Sequence, residues 1–318
     1  MTVTGRGTGR RARLLVVIGP TGTGKTATAL EVARRLDGEI VGCDALQVYR
    51  GLDVGTAKAS ARERGKVPHH LVDVADASTA FTLADYVREA DAAIRSIVEH
   101  GKVPVVVGGT GLYLRGLMRG IVPAPPTDPE LRRRLRAMAA RFGTRRLHRW
   151  LERVDTVSAE RLAPTDVQRI TRALEIALGG ETTWSDRLRD EGTWSRGVER
   201  YDSLKVGLDL DVATLDARIG ERVERFLEAG LVREVRELLA AGVPRAANAF
   251  RAIGYREVLQ AIEEGRNPFE AREEISRNTR RYSRRQRTWF RNEPDIVWLD
   301  AAEGPEALAE RIAGMWAP

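Results

Sequence analysis

The stretch Gly19-Pro20-Thr21-Gly22-Thr23-Gly24-Lys25-Thr26 decides how this chain is read. It follows an apolar run, Leu14-Leu15-Val16-Val17-Ile18, and leads into a helical pattern over about 26–36. Strand, glycine-rich loop and helix with the spacing G-x-x-x-x-G-K-T make a P-loop. Its glycines let backbone N–H groups converge on phosphate oxygens, and the helix N-terminus adds positive potential. Lys25 can reach an outer phosphate, and the Thr26 hydroxyl can hold Mg²⁺. The motif predicts a site for a diphosphate or triphosphate.

At 318 residues the chain is long enough for one large domain or two modest ones. A hydrophobic share of 42% beside 31% charged residues fits a soluble globular protein with a full core. Lys and Arg number 52 against 45 Asp and Glu, and the net charge of +7 points to a polyanionic partner. Cys43 is the one cysteine, which excludes an internal disulfide and a cysteine-rich zinc site. No apolar run approaches the roughly 18 residues of a membrane span, so no membrane partner is expected. Residues 1–12 are rich in Gly, Thr and Arg and lack a signal-peptide core; they read as a disordered tail, with the cytoplasm as the default address.

Glu39-Ile40-Val41-Gly42-Cys43 reads as the next buried strand and ends at Asp44. Ligands of parallel α/β sheets bind beyond the carboxyl ends of the strands, which puts Asp44 beside the P-loop. A turn or helix-cap role fits that position equally. His69-His70 precede a strand-like 71–74; adjacent strand side chains face opposite ways, which weighs against a shared metal. Residues 81–100 have helical periodicity closed by Gly101. Residues 103–107 form a further buried strand running into Gly108-Gly109-Thr110-Gly111. Thr110 is thus a third group at the same edge, or a cap for the following helix, or both.

At Pro123-Ala124-Pro125-Pro126 the texture changes. Helical patterns follow over 129–142, 144–153 and 166–178, whereas 184–200 reads as loop. Arginines cluster at 132–134, 145–146 and 169–172; a solvated face explains them as simply as phosphate contact does. Strand alternation returns over 204–210. The stretch 123–203 is therefore a helical insertion in one α/β domain made of 13–122 and 204–318. A helix over 212–229 puts Arg218 and Arg222 on one face. Between Arg272 and Arg291 stand 8 Arg against 2 Glu, interleaved with Tyr282, Trp289 and Phe290. That composition suits a helix facing nucleic acid, although core aromatics with solvated arginines give the same pattern. The predicted fold class is α/β, a P-loop NTPase-like parallel sheet flanked by helices, with an all-helical insertion.

A P-loop ATPase or GTPase ordinarily carries a second apolar strand ending in an Asp that supports Mg²⁺. Residues 103–107 end in Gly108-Gly109-Thr110 instead, and no guanine-reading motif is found. A metabolite or nucleotide kinase stays open, with Asp44 as base for an incoming hydroxyl. So does an RNA-binding NTPase.

The sequence resembles the bacterial tRNA dimethylallyltransferases, also called tRNA isopentenyltransferases. The likeness is carried by the P-loop, by Asp44 with Gln47-Val48-Tyr49, by Leu52-Asp53-Val54-Gly55-Thr56-Ala57-Lys58 and by Pro68-His69-His70. It continues through Val107-Gly108-Gly109-Thr110-Gly111-Leu112-Tyr113, Asp166 to Glu175, Ile253-Gly254-Tyr255-Arg256 and Arg285-Gln286-Arg287-Thr288-Trp289-Phe290. These blocks run in order along nearly the whole chain. Two departures from that family's usual pattern stand out: Gly22-Thr23 stands for Ala-Ser, and Ala45 for a Ser after the acidic residue.

The resemblance implies transfer of a dimethylallyl group from dimethylallyl diphosphate to N6 of the adenosine at position 37, just 3′ of the anticodon, in tRNA. It implies that Gly19, Pro20, Thr21, Gly22, Thr23, Gly24, Lys25 and Thr26 hold the prenyl diphosphate, with Arg222 and less directly Arg218. Thr26 would bind Mg²⁺, the expected cofactor. Asp44 is the implied base, Lys25 stabilises the leaving group, and Thr110 positions the amine or the diphosphate. Contacts to tRNA are implied for Asp44, Ala45, Leu46, Gln47 and Thr110, and in the insertion for Arg132, Gln168, Arg169, Ile170, Thr171 and Arg172. Further on they are implied for Arg251, Arg256, Arg284, Arg285, Gln286 and Arg287. The insertion would grip the anticodon stem-loop. The expected partners are tRNA and dimethylallyl diphosphate, and the chain is expected to act as a monomer. A variant that prenylates free adenine nucleotides would need little or no insertion.

Overall fold

The computed structural model describes residues 11–126, 128–180, 182–191 and 198–317. The chain forms two compact units, Met1–Met118 with Arg200–Pro318, and Arg119–Glu199.

The first unit is built on six parallel strands: β1 (Arg13–Ile18), β2 (Gly38–Cys43), β3 (His69–His70), β4 (Val103–Gly108), β5 (Asp202–Asp209) and β6 (Ile296–Asp300), in the order β3-β2-β4-β1-β5-β6. β1 is buried from Leu14 onward, as a strand covered on both faces must be. Ile18 of β1 lies level with Gly108 of β4, and Gly108 with Cys43 of β2. Three neighbouring strands therefore end at one height. The P-loop, Asp44 and Gly109-Thr110 leave the sheet at the same edge.

Helices α1 (Lys25–Arg35), α2 (Ala61–Lys66) and α3 (Leu83–Glu99) lie between the first four strands, and α4 (Gly111–Arg119) follows β4. One apolar cluster joins Leu15, Val17 and Val206 of the sheet to Ala29 and Val32 of α1 and to Ile312 near the C-terminus. A second cluster sets Val48, Tyr49 and Leu52 against Leu231, Val235, Tyr255 and Ile275. Each fully buried aliphatic side chain stabilises the fold by about 1.5–3 kcal/mol. The second cluster matters for function because it anchors the segment that begins at Asp44.

Two local expectations are corrected. The strand expected over 71–74 is His69–His70 instead, paired with Ile40 and Val41. Leu71 and Asp73 have φ of 61° and 59°, which a strand cannot contain. The expected tail, 1–12, lies outside the described residues up to 10, and its end is structured: Ala12 is buried and its carbonyl accepts from Asp202 N–H at 3.1 Å.

The second unit contains α5 (Pro129–Phe142), α6 (Thr144–Val154), α7 (Thr156–Arg161), α8 (Val167–Gly179) and α9 (Trp184–Glu191). It has its own core of Leu135, Leu147, Leu151, Ile170 and Leu174. Asp128 caps α5, with Pro129 in the first turn. Helix α9 replaces the loop read over 184–200, of which 192–197 lie outside the described residues. Its start is a Thr183–Asp186 capping box: Thr183 N–H donates to Asp186 at 3.2 Å, and Asp186 N–H to the Thr183 hydroxyl at 3.2 Å. The unit's edges fall at 119 and 199 rather than 123 and 203. At the second edge Arg200 already belongs to the first unit, its N–H on the Met118 carbonyl and its guanidinium on Asp91.

The chain then adds α10 (Val212–Glu228), α11 (Leu231–Ala240), α12 (Tyr255–Glu263), α13 (Arg272–Arg291) and α14 (Pro305–Trp316). Among the described residues no helix is long and apolar enough to cross a membrane.

Candidate active site

The P-loop takes its shape from two glycines. Gly24 precedes α1 at φ 81°, a left-handed conformation that strains any residue with a Cβ. Gly19 passes so close to β5 that a Cβ would stand 2.3 Å from the Leu208 carbonyl oxygen. Lys25 opens α1 and donates to the Pro20 carbonyl at 2.7 Å. The Thr23 hydroxyl donates to the same carbonyl at 3.0 Å and is buried, so its side chain braces the loop rather than facing a ligand. Burial, and next the Arg222 charge, lower the Lys25 pKa to about 7, with Asp44 opposing. An ammonium in that position gains when an anion arrives.

Lys25, Thr26, Asp44, Gln47, Arg218 and Arg222 line one cavity of about 630 Å³. Asp44 Oδ1 accepts from Leu46 N–H at 2.9 Å and Gln47 N–H at 3.3 Å. The two readings of Asp44 are thus compatible: it closes a turn and also faces the cavity. Thr110 likewise has a structural partner, because its hydroxyl accepts from Ala45 N–H at 3.0 Å and holds the turn that carries Asp44. Burial lowers the Arg222 pKa, opposed by Asp44 and reinforced by Arg225. Burial also pushes the Cys43 thiol up to about 12, which makes it inert as a nucleophile.

A second cavity of about 390 Å³ shares Thr21, Asp44, Thr56 and Arg222 with the first. It continues past Thr110, Phe226, Arg251, Arg256, Tyr282 and Arg285. Burial, then Asp44, push Tyr282 up to about 12, so it keeps its proton at neutral pH. Arg251 and Arg285 are exposed and form no ion pair among the described residues.

The donor set bears on a metal. Thr26 is exposed at the start of α1. Among the described residues no group of three or more His, Cys, Asp or Glu is gathered to hold an ion. The exposed Thr26 hydroxyl would be the protein group to hold Mg²⁺ here, which suits an ion that commonly binds phosphate ligands with few protein contacts. The adjacent histidines point to separate partners, His69 to the Val67 carbonyl and His70 to Glu39, each at 2.7 Å.

Several residues assigned to tRNA contact have partners or burial within the protein. Ile170 and Thr171 are 0% and 2% exposed, because they face the insertion's own core. Gln286 is buried: its amide oxygen accepts from Thr21 N–H at 2.9 Å and from the Thr21 hydroxyl at 3.1 Å, and its NH₂ donates to Gly109 at 2.8 Å. It ties the P-loop to the turn after β4. Arg287 pairs with Asp209 at 2.7 Å. Arg132 and Arg172 both bind Glu175, at 2.5 and 3.1 Å, within the insertion. Gln168, Arg169 and Arg284 are exposed. Residues missed by the sequence reading include Thr56, whose backbone lies between the two cavities and accepts from Gln47 and Arg222 at 3.1 and 3.4 Å.

A parallel α/β sheet with a P-loop, cavity-facing cations and a carboxylate at a neighbouring strand end defines a phosphate-binding group-transfer enzyme. The IPP transferase family pattern matches residues 47–293, and the chain belongs to that family. It is 43% identical over 306 residues to a tRNA dimethylallyltransferase of Geobacter metallireducens, covering 96% of this chain and 98% of the relative. A tRNA dimethylallyltransferase of Mycolicibacterium smegmatis is 44% identical, with 96% and 98% covered. The crystal structure of a tRNA isopentenylpyrophosphate transferase from Bacillus halodurans matches with a TM-score of 0.68 at 34% identity, over 96% of each chain. A eukaryotic dimethylallyltransferase solved while acting on tRNA matches with a TM-score of 0.76 at 26% identity, over 91% of this chain and 74% of that one.

Proposed function

We propose that this chain is a tRNA dimethylallyltransferase that prenylates N6 of the adenosine 3′ of the anticodon, at position 37. The observation that carries the reading is that Lys25 and Asp44 line the same cavity, with Asp44 also lining the one that continues toward Arg251 and Arg285. The donor's diphosphate lies in the P-loop and the adenine enters from the second cavity.

In the reaction the allylic carbon–oxygen bond breaks, a carbon–N6 bond forms, and diphosphate leaves. Charge grows on the departing diphosphate, and Lys25, Arg222 and the loop N–H groups stabilise it. Mg²⁺ held at Thr26 would add positive charge beside the same oxygens. N6 is a poor nucleophile because its lone pair is delocalised into the purine. The Asp44 carboxylate accepts the N6 proton as the new bond forms. Thr110 keeps that carboxylate in place through Ala45 N–H. Extruding the base from its stack costs a few kcal/mol, offset by phosphate contacts from exposed arginines such as Arg251 and Arg285.

The test is incubation with dimethylallyl diphosphate labelled in the prenyl group, with and without unmodified tRNA, beside a parallel reaction with ATP. Label in the RNA with release of one diphosphate is expected. Phosphoryl transfer from ATP to a metabolite, with no label in RNA, would overturn the assignment.

A further inference from the structure

The loop over 53–58 borders the diphosphate cavity through Thr56, Ala57 and Lys58. It is held from behind by a buried carboxylate that the mechanism above does not use. Glu234 lies in the first turn of α11 and is 9% exposed. Its Oε2 accepts from the N–H groups of Asp53 and Val54, both at 2.9 Å. Its Oε1 accepts from Gly55 N–H at 3.3 Å and from the Tyr255 hydroxyl. Among the described residues no cation pairs with it. Three consecutive backbone donors, a phenol and a helix N-terminus take the place of water around the charge.

The consequence reaches the cavity in two steps. With residues 53–55 fixed, Thr56 follows, its hydroxyl on the Leu52 carbonyl at 2.6 Å. Its own carbonyl then accepts from Arg222 at 3.4 Å. Arg222 also lies over the Phe226 ring, whose centroid is 4.7 Å from the guanidinium carbon. Ala57 is held at φ 48°, a left-handed conformation unusual for a residue with a Cβ. Lys58 closes the far end on the Tyr49 carbonyl at 2.8 Å and on Asp73 at 2.7 Å.

We propose that Glu234 is a positioning residue for diphosphate binding: its grip on the N–H groups of residues 53–55 fixes the Thr56 carbonyl, and through it the Arg222 guanidinium, at the P-loop cavity. The inference rests on the reading of Arg222 as a diphosphate ligand. Titration calorimetry with inorganic diphosphate separates the two. Arg222→Ala should weaken binding; unchanged affinity there would remove the reading of Arg222 and this inference with it. Glu234→Gln turns an amide NH₂ toward backbone donors and should weaken binding about tenfold, whereas in an Arg222→Ala background it should change affinity less than about twofold. A full tenfold loss in both backgrounds overturns the proposal, because the carboxylate would then act through something other than Arg222. Tyr255→Phe removes one donor and keeps the carboxylate; a loss of about threefold is expected, again abolished in the Arg222→Ala background. If Glu234→Gln does not fold, the Tyr255→Phe pair decides alone, and unchanged affinity there overturns the proposal. In steady state the Glu234→Gln effect should fall on KM for the donor and spare KM for tRNA. A general loosening of the fold would not make that split.

Discussion

The arginines of the cleft and those of the helical insertion carry the same group in opposite surroundings. In the insertion, Arg132 and Arg172 share Glu175, Arg133 and Arg134 share Glu130, and Arg169 pairs with Asp166. At the cleft, Arg218 and Arg222 line a cavity and form no ion pair among the described residues. Exposed pairs contribute about 0–1 kcal/mol and leave each charge already answered. Burial disfavours the Arg222 charge, with Asp44 opposing, and a bound anion would relieve that cost. Local charge density does not tell the two sets apart, since unpaired Arg285 stands in the same arginine-rich helix as paired Arg287. Pairing, which the sequence does not display, is what distinguishes the two sets.

That contrast yields graded expectations. The largest concerns the carboxylate that lines both cavities: Asp44→Ala should lower the single-turnover transfer rate by about 10²–10⁴ while tRNA binding is retained. A wild-type rate would remove Asp44 from the mechanism. Next, Lys25→Met should lower the rate by about 10²–10³ through loss of leaving-group stabilisation, read under saturating tRNA.

The same lysine sets a pH dependence. Burial lowers its pKa from 10.5 to about 7 in the free protein, so above pH 7 it is increasingly neutral. An anion beside it favours the ammonium, so binding should take up a proton above about pH 7, and affinity should fall as pH rises from there. Calorimetry at pH 8.5 in buffers of different ionisation enthalpy should show the uptake. Lys25→Arg should abolish it, since a guanidinium stays charged.

Smaller effects follow on the RNA side. Arg285→Ala, at an unpaired exposed arginine, should weaken tRNA binding and reduce the slope of log K against log salt by about one. The smallest belongs to the paired residues: Arg133→Ala should leave the melting temperature and tRNA affinity nearly unchanged. A large effect at Arg133 would break the distinction drawn between paired and unpaired arginines.

Much of the fold was legible because its signals are local. The P-loop, the apolar runs of β1, β2 and β4, and the glycines and prolines that end them are each read within a dozen residues. The strand ends then place Lys25, Asp44 and Thr110 at one edge of the sheet. What escaped was the result of long-range packing. Gln286 reaches the P-loop from 265 residues away, where it meets Thr21, a role not contained in the RNA contact that the resemblance implied for it. Ile170 and Thr171 sit inside a basic motif, but helix periodicity turns them inward. Glu234 could not be read at all, since its partners are backbone N–H groups of a distant loop. The α9 cap, Thr183 with Asp186, was a readable signal that the surrounding Gly, Thr and Ser content concealed.

The most direct test of the shared cleft is a crystal structure with an anticodon stem-loop RNA and a donor analogue carrying sulfur at the bridging position to slow transfer. The diphosphate is expected against Lys25 and Arg222, with N6 of the extruded adenosine about 3 Å from the Asp44 carboxylate. An adenosine left stacked in its loop, or a diphosphate bound away from Lys25, would contradict the account.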